Sequence, residues 1–149
     1  MADFRYKAGL GNVGSYQVSG TPWITGSGTD ELADNTEIKV TFPRITKSIM
    51  VMLDDSTSAT RLHVHFASSG SDANVYNGRH FFPVVVDRDV LTLNVKCKEI
   101  WISNPGVNNG GESTSANGFI VVAELTNIDP AEMFHLTGSG ITDPPVPAF

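Results

Sequence analysis

Cysteine is almost missing from this chain. Cys97 stands alone, so no disulfide can close within it, and folding must come from an apolar core. A chain of 149 residues can supply that core as one domain, burying roughly 68–70% of its unfolded surface without metal or cross-link. Long apolar runs are also missing: none approaches the ~20 residues of a membrane span. Met1-Ala2-Asp3-Phe4-Arg5 lacks the apolar stretch of a secretory signal. The expectation is a chain made and kept in the cytoplasm, or released by a route without a signal, such as lysis. Charge is scarce at 17%, and bases more so, ten against sixteen acids for a net −6. The bases are scattered. Such a chain gains little counterion release on a phosphate backbone and little attraction to anionic lipid, so neither nucleic acid nor membrane is expected as a partner.

What fills the space is glycine, serine, threonine and asparagine around short β-like pieces. Trp23-Ile24-Thr25 follows Pro22, and Tyr16-Gln17-Val18 reads as a further β piece. Ile38, Val40 and Phe42 alternate with Glu37, Lys39 and Thr41, the period of a half-buried strand. Ile49 to Leu53 is continuously apolar and fits a strand covered on both faces. Leu62, Val64 and Phe66 alternate with Arg61, His63 and His65. Phe81 to Val86 is strongly β, but Pro83 demotes it to an edge or bulged position. Leu91, Leu93, Val95 and Cys97 share one parity and Ile100 and Ile102 the other, which predicts a bulge or tight turn near Lys98-Glu99. Asn104 to Asn117 is a polar loop, and Phe119 to Leu125 is the last strong strand. One helix is expected, because Asp129-Pro130-Ala131-Glu132 is in capping-box order and Gly138 is a natural stop. Seven to nine strands at this spacing predict an all-β fold, an antiparallel β-sandwich or jelly roll, with a short C-terminal helix and extended terminal arms.

The candidate chemical motifs are weak. Gly9-Leu10-Gly11-Asn12-Val13-Gly14 has the glycines of a dinucleotide loop. It leads into a β pattern, however, and no acid follows at the right distance, so a turn-rich segment is the better reading. His63 and His65 stand two apart in a strand and so point to one face. They could share a metal, but spacing selects no further ligand among His80, Asp54 and Asp72, and a polar face, solvated or packed on a neighbouring subunit, outweighs that reading. Asp54-Asp55 and Asp87-Arg88-Asp89 are acids of the kind turns require. Cys97, in an apolar pattern, reads as a small buried hydrophobe. No catalytic residue, cofactor or metal is assigned.

Two stretches carry a resemblance. Tyr6 to Gly20 (YKAGLGNVGSYQVSG), running on to Pro22 and Thr25-Gly26-Ser27, is the first; Asn94 to Asn104 (NVKCKEIWISN) is the second. Leu62 to Phe66 and Val122 to Thr126 fit the same pattern. Together they resemble small virion structural proteins of tailed phages that infect marine cyanobacteria and related hosts. The likeness spans most of residues 6–128 and stops before Asp129. It implies a non-enzymatic protein of the virion, synthesised in the host cytoplasm and placed on the outer capsid surface, where it decorates or cements the head. The implied partners are the major capsid protein and copies of itself in a homo-oligomer.

On this reading, residues 1–28 form a glycine-rich arm packed on the domain, 29–128 the sandwich, and 129–149 a short helix and a Pro-rich arm. Aromatic and proline side chains on such arms gain most by docking on another subunit. Phe4, Tyr6, Tyr16, Trp23, Pro144, Pro145, Pro147 and Phe149 are therefore the expected partner-binding residues, with wrapping of their own sandwich as the alternative. Three other readings stand beside this one: a tail, baseplate or fibre component; a carbohydrate-binding module stacking sugars on Trp23, Trp101 or Tyr76; and an enzyme with a metal centre at His63 and His65.

Overall fold

A computed structural model describes residues 8–17, 19–28, 32–54, 61–70, 74–85, 90–105, 118–133 and 136. Among them are eight strands: β1 (Thr21–Gly26), β2 (Thr36–Thr41), β3 (Thr46–Leu53), β4 (Arg61–His65), β5 (Phe82–Val85), β6 (Leu91–Leu93), β7 (Glu99–Asn104) and β8 (Phe119–Leu125). Two single-turn helices, α1 (Gly14–Gln17) and α2 (Asn74–Asn77), and a 3-10 turn at Pro130–Glu132 complete the described elements. The strands form two four-stranded sheets, ordered β1-β8-β3-β6 and β2-β7-β4-β5, with antiparallel neighbours throughout. The fold is an antiparallel β-sandwich.

Strand alternation builds the core. From the first sheet Ile49, Val51, Val121 and Ala123 point inward; from the second Val40, Leu62, Val64, Ile100 and Ile102 meet them. Trp23, half-buried on β1, stands edge-on to Phe42, with ring centres 5.2 Å apart. A smaller cluster of Ile45, Ile128 and Met133 seals one end, with Leu10 and Tyr16 packed on it. Thr46 ties the two levels together. Its hydroxyl donates to the Val95 carbonyl at 2.7 Å, accepts from the Cys97 amide at 3.1 Å and lies 3.2 Å from Cys97 Sγ. Burial pushes that thiol up to about 11, so Cys97 is an inert, buried side chain.

Four local expectations change. Tyr16 lies in a helical turn, not a strand, because Asn12 Oδ1 accepts from the Gly14 amide and Val13 takes the amides of Tyr16 and Gln17; Val18 is outside the described residues. The phase change between Cys97 and Ile100 is not a bulge within one strand. β6 belongs to the first sheet and β7 to the second, so the inward parity resets as the chain crosses between them. Ile49 to Leu53 is covered on one face only, because Met50 and Met52 are half-buried on the outside. The expected helix shrinks to one 3-10 turn. Asp129 Oδ1 caps it at the Ala131 amide (2.9 Å), but Met133 is drawn into the small cluster in extended conformation, and Lys98 Nζ takes its carbonyl at 3.1 Å. Pro83 sits where expected, in edge strand β5. The proposed division at residue 28 follows immediately after an integral strand, since β1 pairs with β8 over its whole length.

Candidate functional site

Whatever faces the core on each strand, its neighbours face outward, so the sandwich has two outer faces. On the second sheet, register places Glu37, Ser103, His63 and Pro83 in one row and Lys39, Trp101 and His65 in the next. The expectation of a solvated or neighbour-facing histidine face does not hold: His63 is 1% exposed and His65 0%. The covering side chains come from the same chain. Phe81 stacks on His63 with ring centres 3.8 Å apart and planes 10° from parallel, and Tyr76 of α2 lies 6.1 Å from the same ring. Glu37 holds the turn after β4, accepting from the Ser68 hydroxyl at 2.6 Å and the Ser69 amide at 2.9 Å.

Beneath this cover runs a polar chain. Tyr76 Oη donates to Ser103 Oγ at 3.0 Å, and Ser103 Oγ lies 3.0 Å from His65 Nε2. His65 Nδ1 bonds to the Ala67 carbonyl, which can only accept. The Nδ1–H tautomer follows, with Nε2 accepting from Ser103. Burial lowers the pKa of His65 against the opposing pull of the Ala67 bond and of Glu37, 3.6 Å away, so the ring is neutral at pH 7. A serine hydroxyl on a histidine nitrogen is also the geometry of a nucleophile and its base. Here the same hydroxyl is engaged by Tyr76, and Ser103 is 1% exposed, so the pair acts as a lock on the cover.

His63 is different. Neither ring nitrogen has a hydrogen-bond partner. Burial first, then Arg61 and His65, lower its pKa to about 4. Among the described residues no three His, Cys, Asp or Glu side chains come together as a metal site.

The first sheet presents the opposite chemistry. Its outer rows are Ile24, Val122, Met50 and Thr92; then Gly26, Ile120 and Met52; then Pro22, Glu124 and Ser48. Ile24 is 69% exposed, and Val122, Met50, Ile120 and Met52 are half-buried. Glu124 is the one formal charge in these rows, and its carboxylate accepts from the Ser48 hydroxyl at 2.8 Å. The sequence does not announce this surface, because an unbroken apolar run from Ile49 to Leu53 has the pattern of a strand covered on both sides.

Of the eight expected partner-binding residues, Phe4, Tyr6, Pro144, Pro145, Pro147 and Phe149 lie outside the described residues. Trp23 packs into the main core. Tyr16 packs at the other cluster, under Lys96 Nζ, which lies 4.2 Å from its ring centre and bonds the Leu10 carbonyl at 2.8 Å. The two are not brought to one surface. Of the sugar-stacking candidates besides Trp23, Tyr76 sits beside the covered histidines and Trp101 has Lys39 Nζ 5.4 Å from its ring centre.

Protein-family models, curated proteins and solved structures give no match to this chain. Among the described residues no helix is long and apolar enough to cross a membrane.

Proposed function

We propose that the protein is a structural component of a tailed-phage virion, a decoration or cement protein that binds major capsid subunits and stabilises the head. The observation that carries this reading is the outer face of the first sheet. On a chain of net charge −6, it offers Ile24, Met50, Met52, Ile120 and Val122 with one acid already hydrogen-bonded. An apolar sheet face at a solvent boundary gains free energy when another protein surface covers it.

Two further points support the proposal. The stretches Tyr6 to Gly20 and Asn94 to Asn104 resemble virion proteins of this kind. The strand pairs β1·β8, β2·β7, β3·β6 and β4·β5 nest like those of one long hairpin folded into two sheets, an order compatible with a jelly roll, which capsid domains share with lectins and cupins. Binding would be adhesive. One copy contributes a modest contact, and many copies on a lattice add through avidity, alone or as oligomers.

The test is a cryo-electron-microscopy map of the whole particle with this chain traced into it. Density on the outer capsid lattice, with the Ile24 and Val122 face against capsid protein, is the expected result. Density in the tail or fibres, or none in the particle, overturns the capsid reading.

A further inference from the structure

The cover over the second sheet has an acid-sensitive weak point, independent of any partner the protein binds. We propose that residues 74–81 form a pH-released cover, which leaves the outer face of the second sheet when His63 takes up a proton.

The geometry makes the argument. His63 lies between strand and cover, its ring flat on Phe81 and both nitrogens unpartnered at 1% exposure. An unpaired buried imidazole is costly even when neutral. As an imidazolium it would carry two N–H donors with no acceptor. Water can reach those donors only if Phe81 and Tyr76 move away. The charged and titratable groups around it oppose protonation in place. On its own strand stand Arg61 and His65, both disfavouring a charge on His63. Across β7 it meets Ser103 and across β5 Pro83, neither ionisable. Glu37 on β2 is the nearby carboxylate, but its oxygens serve Ser68, Ser69 and His65. Tyr76 faces it from the cover, and Arg79 and His80 precede Phe81 in the sequence. The second attachment runs from Tyr76 to Ser103, whose oxygen can accept from Tyr76 whether or not His65 carries a charge, so the response to acid falls on His63.

The sign follows from linkage. His63 titrates at about 4 when covered and near 6.5 when free. The open form therefore binds more protons as pH falls from 6.5 to 4, and the closed-to-open ratio drops by on the order of a hundredfold between pH 7 and pH 4.5. Release would uncover Ser103, to which Tyr76 is bonded, and His65 beside it.

The experiment is amide hydrogen exchange on the full chain at pH 7 and pH 4.5, expressed as protection relative to intrinsic rates, with the imidazole 15N shifts of His63 followed in parallel. Protection in 74–81 should lie below that of β3 and β8 at both pH values, and should fall by on the order of a hundredfold over the interval in which His63 becomes protonated. His63→Phe, which keeps a ring on Phe81 but cannot titrate, should abolish the change. Unchanged protection in 74–81 overturns the proposal. So does protection in 74–81 equal to that of β3 and β8 at both pH values, since those residues would then exchange only when the whole domain unfolds. Cover release that precedes His63 protonation in the wild type, or persists in His63→Phe, assigns the effect to another group and also overturns it. The shift titration needs no variant, so the outcome does not depend on His63→Phe folding.

Discussion

The outer face of the second sheet carries Glu37, His63, His65 and Ser103, and its two histidines are buried. The outer face of the first carries Ile24, Met50, Met52, Ile120 and Val122 and keeps contact with solvent. Polarity and burial are crossed between two sheets of equal strand number in one small domain. The difference lies in local connection. The segment between β4 and β5 supplies Tyr76 and Phe81 as a roof on its own sheet, fixed by the Ser103 and Glu37 hydrogen bonds. A polar face can thus be enclosed when the enclosing loop satisfies most of it, and His63, whose ring nitrogens are left out, becomes the place where solvent conditions act. An apolar face left at the boundary points instead to contact with another molecule.

The comparison can be broken most forcefully with a carboxylate on the covered side. Val75 in α2 is fully buried, and Val75→Asp should cost about 3–5 kcal/mol in urea unfolding at pH 7, because the charge has no partner there. Acid is the next largest effect. The folded pKa of His63 lies below its unfolded value, so its contribution to stability is complete above about pH 6.5 and is lost as pH falls toward 4. Urea midpoints converted to free energy should drop by about 2–3 kcal/mol between pH 7 and pH 4.5. His63→Phe should flatten that slope.

Ser103→Ala removes the hydroxyl shared by Tyr76 and His65 and should cost about 1–2 kcal/mol. Combined with Tyr76→Phe it should cost less than the sum, since both remove the same bond, and a double-mutant cycle reads the coupling. The smallest effect on stability belongs to the other face. Ile24→Asp, at a position 69% exposed, should shift unfolding by no more than about 0.5 kcal/mol. If the face binds capsid, the same change should abolish binding of the purified protein to particles stripped of it. Unchanged binding would remove the first sheet's outer face from the proposed interface.

The pattern in the sequence already carried much of the fold. Alternation at Ile38, Val40 and Phe42, the apolar run at Ile49, and the strong final strand at Phe119 to Leu125 are local signals, and each marks a strand in the structure. Pro83 announced its edge position because a residue without an N–H cannot serve a central ladder. The alternation Leu62-His63-Val64-His65 also separated the core-facing residues from the histidine row. It could not say what lies over that row, because Phe81 and Tyr76 arrive from a later, weakly patterned segment. Nor could parity alone show that Leu93 and Ile100 belong to different sheets, since a bulge and a crossover leave the same phase shift in the sequence.

By itself, then, the sequence determined where most of the strands run and, on β2 and β4, which side is apolar, because a two-residue period is written locally into the order of side chains. Only the tertiary structure decided which apolar residues meet in the core, that a pair of histidines is sealed beneath an aromatic cover, and that Ile24 and two methionines share an outward face. Those facts depend on which strands pair and which loop folds over which sheet, and such contacts join residues far apart in the chain.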